Sequence, residues 1–404
     1  SFATAPARWL LLIPTPMPPW MIGIFAIRSP ICSCFNFDVY VLIMHVSSIF
    51  QNCLTIKQFS VYGNAVSLST CICFHFFYRF IFDFVETSQM GGYTRDITDA
   101  IKGVAAILII LHHISWQVAT ASGVVIWFYR EINLFAVGVF LLFSGYGLSK
   151  SIQTKHDCYK LLKYTTHILS TYLIVFSIKI IFDVANKRMT YNVILNLITL
   201  QMHPSNLWYI KGQIFCYILF SIGIMAFGKC SKSIVFMISV ISLWIYIGIT
   251  LGRSIINDAW YDTLMLFPFG VLLTINEKAF IDITRKYPIA IIGVATLLSG
   301  LVIYIQKSLV YVVVSIWSVL VYLVISSYIE VTGEIWKILG NHSLSVFLIH
   351  FVLIDYAKSK GLNIANGLVI VLIVILTVLL SIVVDKLVKV VMNHINFERL
   401  LRKD

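Results

Sequence analysis

From about residue 100 onward the chain alternates long apolar runs with short polar clusters, and the runs are too long and too even for half-buried surface helices. They fall near residues 102–121, 131–149, 164–184, 207–227, 233–252, 260–276, 288–305, 309–329, 343–357 and 367–385. Most approach the roughly 20 residues that an α-helix needs to cross a bilayer. No repeat with a period of roughly 20 to 50 residues interrupts them, so they read as one domain. The pattern predicts an all-α fold, a polytopic integral membrane helical bundle of about ten transmembrane helices.

Residues 1–89 do not follow this grammar. They hold six of the nine prolines, five of the eight cysteines and seven charged residues without a consistent spacing. Runs such as "IPTPMPPW" give no uninterrupted helix, whereas Met90 opens "MGGYTRDITDAIKG", a polar lead into a helix. The segment reads as an atypical extension, either translated upstream sequence or extra hydrophobic segments near 9–25, 39–50 and 71–84, and residues 90–404 read as the membrane domain.

Composition agrees with the pattern: 59% of the residues are hydrophobic and 12% charged, against roughly a quarter charged in soluble domains. The net charge of +12 does not form a basic stripe, because the Lys and Arg lie between the apolar runs, which argues against a nucleic-acid partner. Their placement instead predicts orientation. One set of loops carries seventeen of them, from Arg95 and Lys102 to Lys403, and the alternate set seven, from Arg130 to Lys360. Both ends of the 90–404 domain are therefore expected in the cytoplasm. The cysteines form no CxxC pair and keep no ligand spacing to His, so neither a metal site nor a disulfide framework is expected.

The first span, "KGVAAILIILHHISW", ends an apolar run on His112 and His113. Eleven residues separate Lys102 from His113, about 16 Å along a helix and within about 20° of the same direction, while His112 points some 80° away. An ionisable side chain at membrane depth is costly unless paired or hydrated, so a functional role for His113 is the first hypothesis. An interhelical hydrogen bond is the alternative, and it is the simpler account of His112.

"DAIKGVAAILIILHHI" resembles the first-helix signature of the acyltransferase-3 membrane family, in which a basic residue, usually Arg, precedes a His by ten intervening positions. Lys102 and His113 occupy those places. The resemblance continues in "VGVFLLFSGYGLSK" with Ser144, Gly145 and Tyr146, in "NLWYIKGQIFCYILF" with Trp208 and Tyr209, and in "LGNHSLSVFLIHF" with Gly340, Ser343, Phe347 and His350. The motifs appear in family order over about residues 94–390. Two positions depart: Lys stands for Arg at 102, which gives up bidentate geometry for a point charge, and Gln213 stands where many members carry Glu.

The resemblance implies transfer of an acyl group, commonly acetyl from acetyl-CoA, to a hydroxyl of a carbohydrate or other cell-envelope molecule, with acyl-CoA a substrate and no permanently bound cofactor. It also implies a multi-pass protein of a bacterial plasma membrane. Hydroxyl attack on a thioester needs a base near neutral pKa, which suits His113. Lys102 suits the phosphates of CoA, and Ser144 and Tyr146 would line the same entrance. Gly145 with Ser144 also reads as close helix packing. Trp208 and Tyr209 read either as an interfacial aromatic belt or as a sugar-stacking surface, and His350 either as an interhelical bond or as part of the site. His203 reads as a loop residue.

Lys179 and Asp183, four apart, read as a mutually neutralising pair. Asp258, Asp262 and Asp355 fall on the side from which an extracytoplasmic acceptor would approach. Two other classes remain open: a transporter or flippase of lipid-linked glycans, for which no paired broken helices are visible, and a non-catalytic sensor on the same fold.

Overall fold

A computed structural model describes residues 85–87, 92–117, 124–152, 159–186, 208–228, 231–250, 262–331, 333–364 and 366–395. All belong to one compact unit, Ala65–Asp404. The three hydrophobic stretches suggested between residues 9 and 84 lie outside the described residues, as do His203 and Asp258.

Eleven helices occupy nearly all of the described chain. They are α1 Arg95–Gln117, α2 Val124–Ser151, α3 Tyr159–Ala185, α4 Trp208–Phe227, α5 Ser231–Thr250, α6 Leu266–Lys286, α7 Pro288–Ile305, α8 Val310–Ser326, α9 Glu334–Asn341, α10 Ser343–Ser359 and α11 Gly367–His394. Two three-residue strands, β1 Val85–Thr87 and β2 Ile329–Val331, pair antiparallel with Glu86 opposite Glu330. The fold is the all-α membrane bundle that the hydropathy pattern implies. Among the described residues, eight helices are long and apolar enough to span a bilayer, or nine if the bent pair α9 and α10 counts as one span.

The sixth run differs from its expectation. The helix starts at Leu266 instead of residue 260 and continues to Lys286, with a non-helical Asn276 (φ −118°) where the apolar half ends. Beyond the kink it carries Glu277, Lys278, Asp282, Arg285 and Lys286. Only its first half therefore resembles a membrane span.

Helices α1 and α2 form the centre of the bundle, with 83% and 72% of their most apolar windows buried, whereas α7 has no buried residue and presents Leu297 and Tyr304 outward. The central contacts depend on glycine. A Cβ on Gly340 would lie 1.6 Å from the Asp99 carbonyl oxygen, and one on Gly103 2.2 Å from that of Trp336. Backbone therefore rests directly on backbone where α9 crosses α1. Gly145 and Gly270 do the same for α2 against α6, with a Cβ on either falling about 2 Å from a carbonyl oxygen of the other helix (Phe267 and Leu142). Lipid offers apolar side chains no reason to prefer protein, so close backbone approach and interhelical hydrogen bonds supply the association.

Between α9 and α10 the chain bends by 76° at His342. Asp385 on α11 holds this corner, accepting hydrogen bonds from Ser345 Oγ and from His342 Nδ1. Its carboxylate is 13% exposed, so both bonds form largely out of water, where an unmade one costs most. The bend lets α9 lie across the start of α1 while α10 runs alongside it.

Candidate active site

Helix α10 brings His350 against α1. The His113 and His350 rings have centroids 5.2 Å apart and planes inclined by 31°. Phe351 closes on both, 4.3 Å from His113 and 4.0 Å from His350. His112 lies 4.8 Å from His113 and is buried, while His113 is partly exposed. Three imidazoles and one phenyl ring thus meet where α10 packs against α1.

The tautomer of His350 follows from its hydrogen bond. Its Nδ1 lies 3.0 Å from the Val346 carbonyl, and a carbonyl only accepts, so neutral His350 carries its proton on Nδ1 and a lone pair on Nε2. That Nε2 is fully buried and has no hydrogen-bond partner among the described residues. An orphan acceptor of this kind costs about 1–3 kcal/mol, and the position is fixed by packing from both helices.

Lys102 does not stand alone at the mouth of α1. Its Nζ is 3.3 Å from Asp99 Oδ1, and Arg95 Nε is 3.3 Å from Asp99 Oδ2. Asp99 is buried and shares one charge between two cations. The acidic residue one turn before Lys102 in "DITDAIK" was the available signal, since acid and base three apart meet on a helix. Lys337 on α9 reaches across to Asp96 at 3.0 Å, which ties the same region together.

Ser144 belongs to another cluster. Gln213 Nε2 donates to Ser144 Oγ at 3.1 Å and to Tyr217 Oη at 3.0 Å. Gln213 Oε1 is buried without a partner among the described residues. Tyr209 is buried and packs 4.8 Å from Phe347, which lies 6.0 Å from His350. The belt reading therefore does not describe Tyr209, whose ring turns into the bundle. Trp208, partly buried beside it at 6.2 Å, begins the helix. An aromatic line runs from Tyr209 through Phe347 to the imidazoles.

Tyr146, two residues after Ser144, faces elsewhere. Its hydroxyl is 2.6 Å from Glu277 Oε1 and 2.9 Å from the Tyr93 carbonyl oxygen. Lys150 Nζ is 3.1 Å from Glu277 Oε2 and 4.5 Å above the Tyr146 ring. The Tyr93 amide donates to the same carboxylate, and burial pushes the Tyr93 phenol up to about 12, so it stays a neutral donor. This cluster fastens the entry to α1 onto α2 and α6. Lys102, Ser144 and Tyr146 thus each have their own partners. Among the described residues no group of three or more His, Cys, Asp or Glu is placed to hold a metal ion.

The long apolar helices of the fold define a multi-pass membrane protein. The acyltransferase-3 family, described as an acyltransferase domain, matches residues 96–386. That is more than two thirds of the chain, and the chain belongs to this family; it is a membrane acyltransferase. No curated protein and no solved structure matches it.

Proposed function

We propose that the protein transfers an acyl group, acetyl in the simplest case, from acyl-CoA to a hydroxyl of a carbohydrate or other cell-envelope acceptor, with His113 as general base. The observation that carries this reading is the meeting of His113 and His350 at 5.2 Å inside a bundle of apolar helices. In the reaction the acceptor hydroxyl gives its proton to the imidazole as its oxygen attacks the thioester carbonyl. The tetrahedral intermediate then expels the CoA thiolate, which recovers the proton, so the base is regenerated. His350, held in one tautomer by Val346, lines the acceptor side of His113.

Lys102 supplies the cation for CoA phosphate, and Asp99 holds its side chain in place. Ser144, Trp208 and Tyr209 support the walls of the site, and Tyr146 anchors its cytoplasmic end. The excess of Lys and Arg in one set of loops supports both termini of the 90–404 domain in the cytoplasm of a bacterial cell, the side on which acyl-CoA is found. The test is consumption of labelled acyl-CoA by purified membranes containing the protein. His113→Ala at unchanged expression is expected to abolish it, and full activity in that variant would remove His113 from the role of base.

A further inference from the structure

Helix α7 carries no buried residue, and Trp317 Nε1 of α8 ties it to the bundle by donating to Thr296 Oγ1 at 3.0 Å. Along one edge of α7, Ala290, Ile291, Val294, Ala295 and Leu298 follow i, i+1, i+4, i+5 and i+8, the spacing of one helix face. Ile283 and Tyr287 continue that line toward α6, and Leu320 of α8 closes the far side. Together they line an open groove of about 490 Å³ whose exposed wall is apolar. The two alanines keep its floor low.

The length of the groove limits what can fill it. Tyr287 and Leu298 are eleven residues apart, about 16 Å along the axis. That is about half of a hydrocarbon core roughly 30 Å thick, the depth of one leaflet. An acyl chain of a membrane lipid reaches that far, whereas a partner helix would follow α7 on to Ile305.

One end of the groove is cationic. Beyond the kink at Asn276, α6 carries Lys278, Asp282, Arg285 and Lys286, while Glu277 is already neutralised by Lys150 at 3.1 Å. Three cations therefore face one carboxylate. Arg285 and Lys286, directly before Tyr287, form no ion pair among the described residues. Arg285 Nε donates to the Ser327 carbonyl at 3.0 Å, and its Nη2 is buried without a hydrogen-bond partner among the described residues. Lys286 Nζ lies 5.0 Å over the exposed Tyr287 ring. These residues belong to the loops whose charge excess is expected on the cytoplasmic side.

We propose that the groove binds one anionic phospholipid of the cytoplasmic leaflet. An acyl chain lies along the alanine-bearing face of α7, and the headgroup phosphate meets Lys286 and the Arg285 guanidinium. An apolar groove alone would accept any lipid; the cations at its end select the anionic one. None of its residues belongs to the imidazole cluster, so the lipid is a structural ligand of α6, α7 and α8 and not a reactant.

The test melts the full chain in dodecylmaltoside micelles titrated with phosphatidylglycerol, with phosphatidylcholine of the same chains, or with glycerol 3-phosphate. Phosphatidylglycerol is expected to raise the melting temperature saturably, with a midpoint about tenfold below that of phosphatidylcholine. Glycerol 3-phosphate, which has no chain, is expected to do nothing. Both test substitutions fall at exposed positions. Lys286→Gln is expected to raise the phosphatidylglycerol midpoint about fivefold and leave that of phosphatidylcholine unchanged. Ala290→Phe fills the groove and is expected to weaken both lipids about tenfold. Equal midpoints for the two lipids, a response to glycerol 3-phosphate, or either variant within about twofold of wild type overturns the site. So does a lipid-independent dimer in native mass spectrometry that Ala290→Phe abolishes, because it would place a second copy of the chain in the groove.

Discussion

His350 donates from Nδ1 to the carbonyl of Val346 one turn earlier on the same helix, 3.0 Å away, and its other nitrogen is buried without a hydrogen-bond partner among the described residues. The bond makes the two imidazoles chemically different, although both sit in apolar surroundings. If they act as a unit, their losses will not add. His113→Ala and His350→Ala are each expected to lower acyl-CoA turnover by about 10² to 10⁴, the range for positioned acid–base groups, with the double variant close to the worse single one. Single-turnover rates check this; multiplied losses would mean that the two rings serve separate steps.

Removing the cation at the mouth of α1 tests the donor side. Lys102→Met leaves buried Asp99 with only Arg95, whose side chain is 85% exposed. The KM for acyl-CoA is expected to rise about tenfold with kcat little changed, because a phosphate contact contributes equally to ground and transition states. Lys102→Arg is expected to restore it, since the charge is what the phosphate reads. A KM within twofold of wild type in the Met variant would leave Lys102 with a packing role alone.

The glycine contacts make a sharper prediction about stability. A Cβ at position 340 would fall 1.6 Å from a backbone oxygen, whereas one at Gly147 meets nothing within 4 Å. Gly340→Ala must push α9 off α1, and overpacking of this kind costs about 1–3 kcal/mol or more. Gly147→Ala is expected to be neutral or stabilising by up to about 1 kcal/mol, from helix propensity. Melting in detergent separates the two. Equal behaviour would mean that the backbones of α1 and α9 do not touch.

How far the sequence already contained this arrangement differs from residue to residue. Helical phase alone puts Lys102 and His113 on one face, and hydropathy alone gives the bundle. That His350 would meet His113 was not legible, because it depends on the 76° bend at His342 and on Asp385, some forty residues away in sequence, accepting from His342 and Ser345. No proline announces that bend. Tyr209 read as interfacial for a related reason: the few polar residues of α4, Lys211, Gln213 and Ser221, do not gather on one face, so periodicity has little with which to point the helix. Glu277 lies beyond the expected end of its span, so its bonds to Tyr146 and Lys150 were out of reach.

Gln213 offers the last test, because its two hydrogen bonds differ in what their loss leaves behind. Its amide donates to Ser144 Oγ and to Tyr217 Oη, and Tyr217 is itself buried. Gln213→Leu fills the space but strands the tyrosine hydroxyl in an apolar interior, at a cost of about 1–3 kcal/mol. Adding Tyr217→Phe removes the stranded group, and replacing both partners by apolar ones of similar shape is close to neutral. The double variant is therefore expected to melt higher than Gln213→Leu alone, a positive coupling of the kind that residues in contact show. If the two substitutions simply add, the bond to Tyr217 contributes nothing, and the buried position of Gln213 would have to be explained by Ser144 alone.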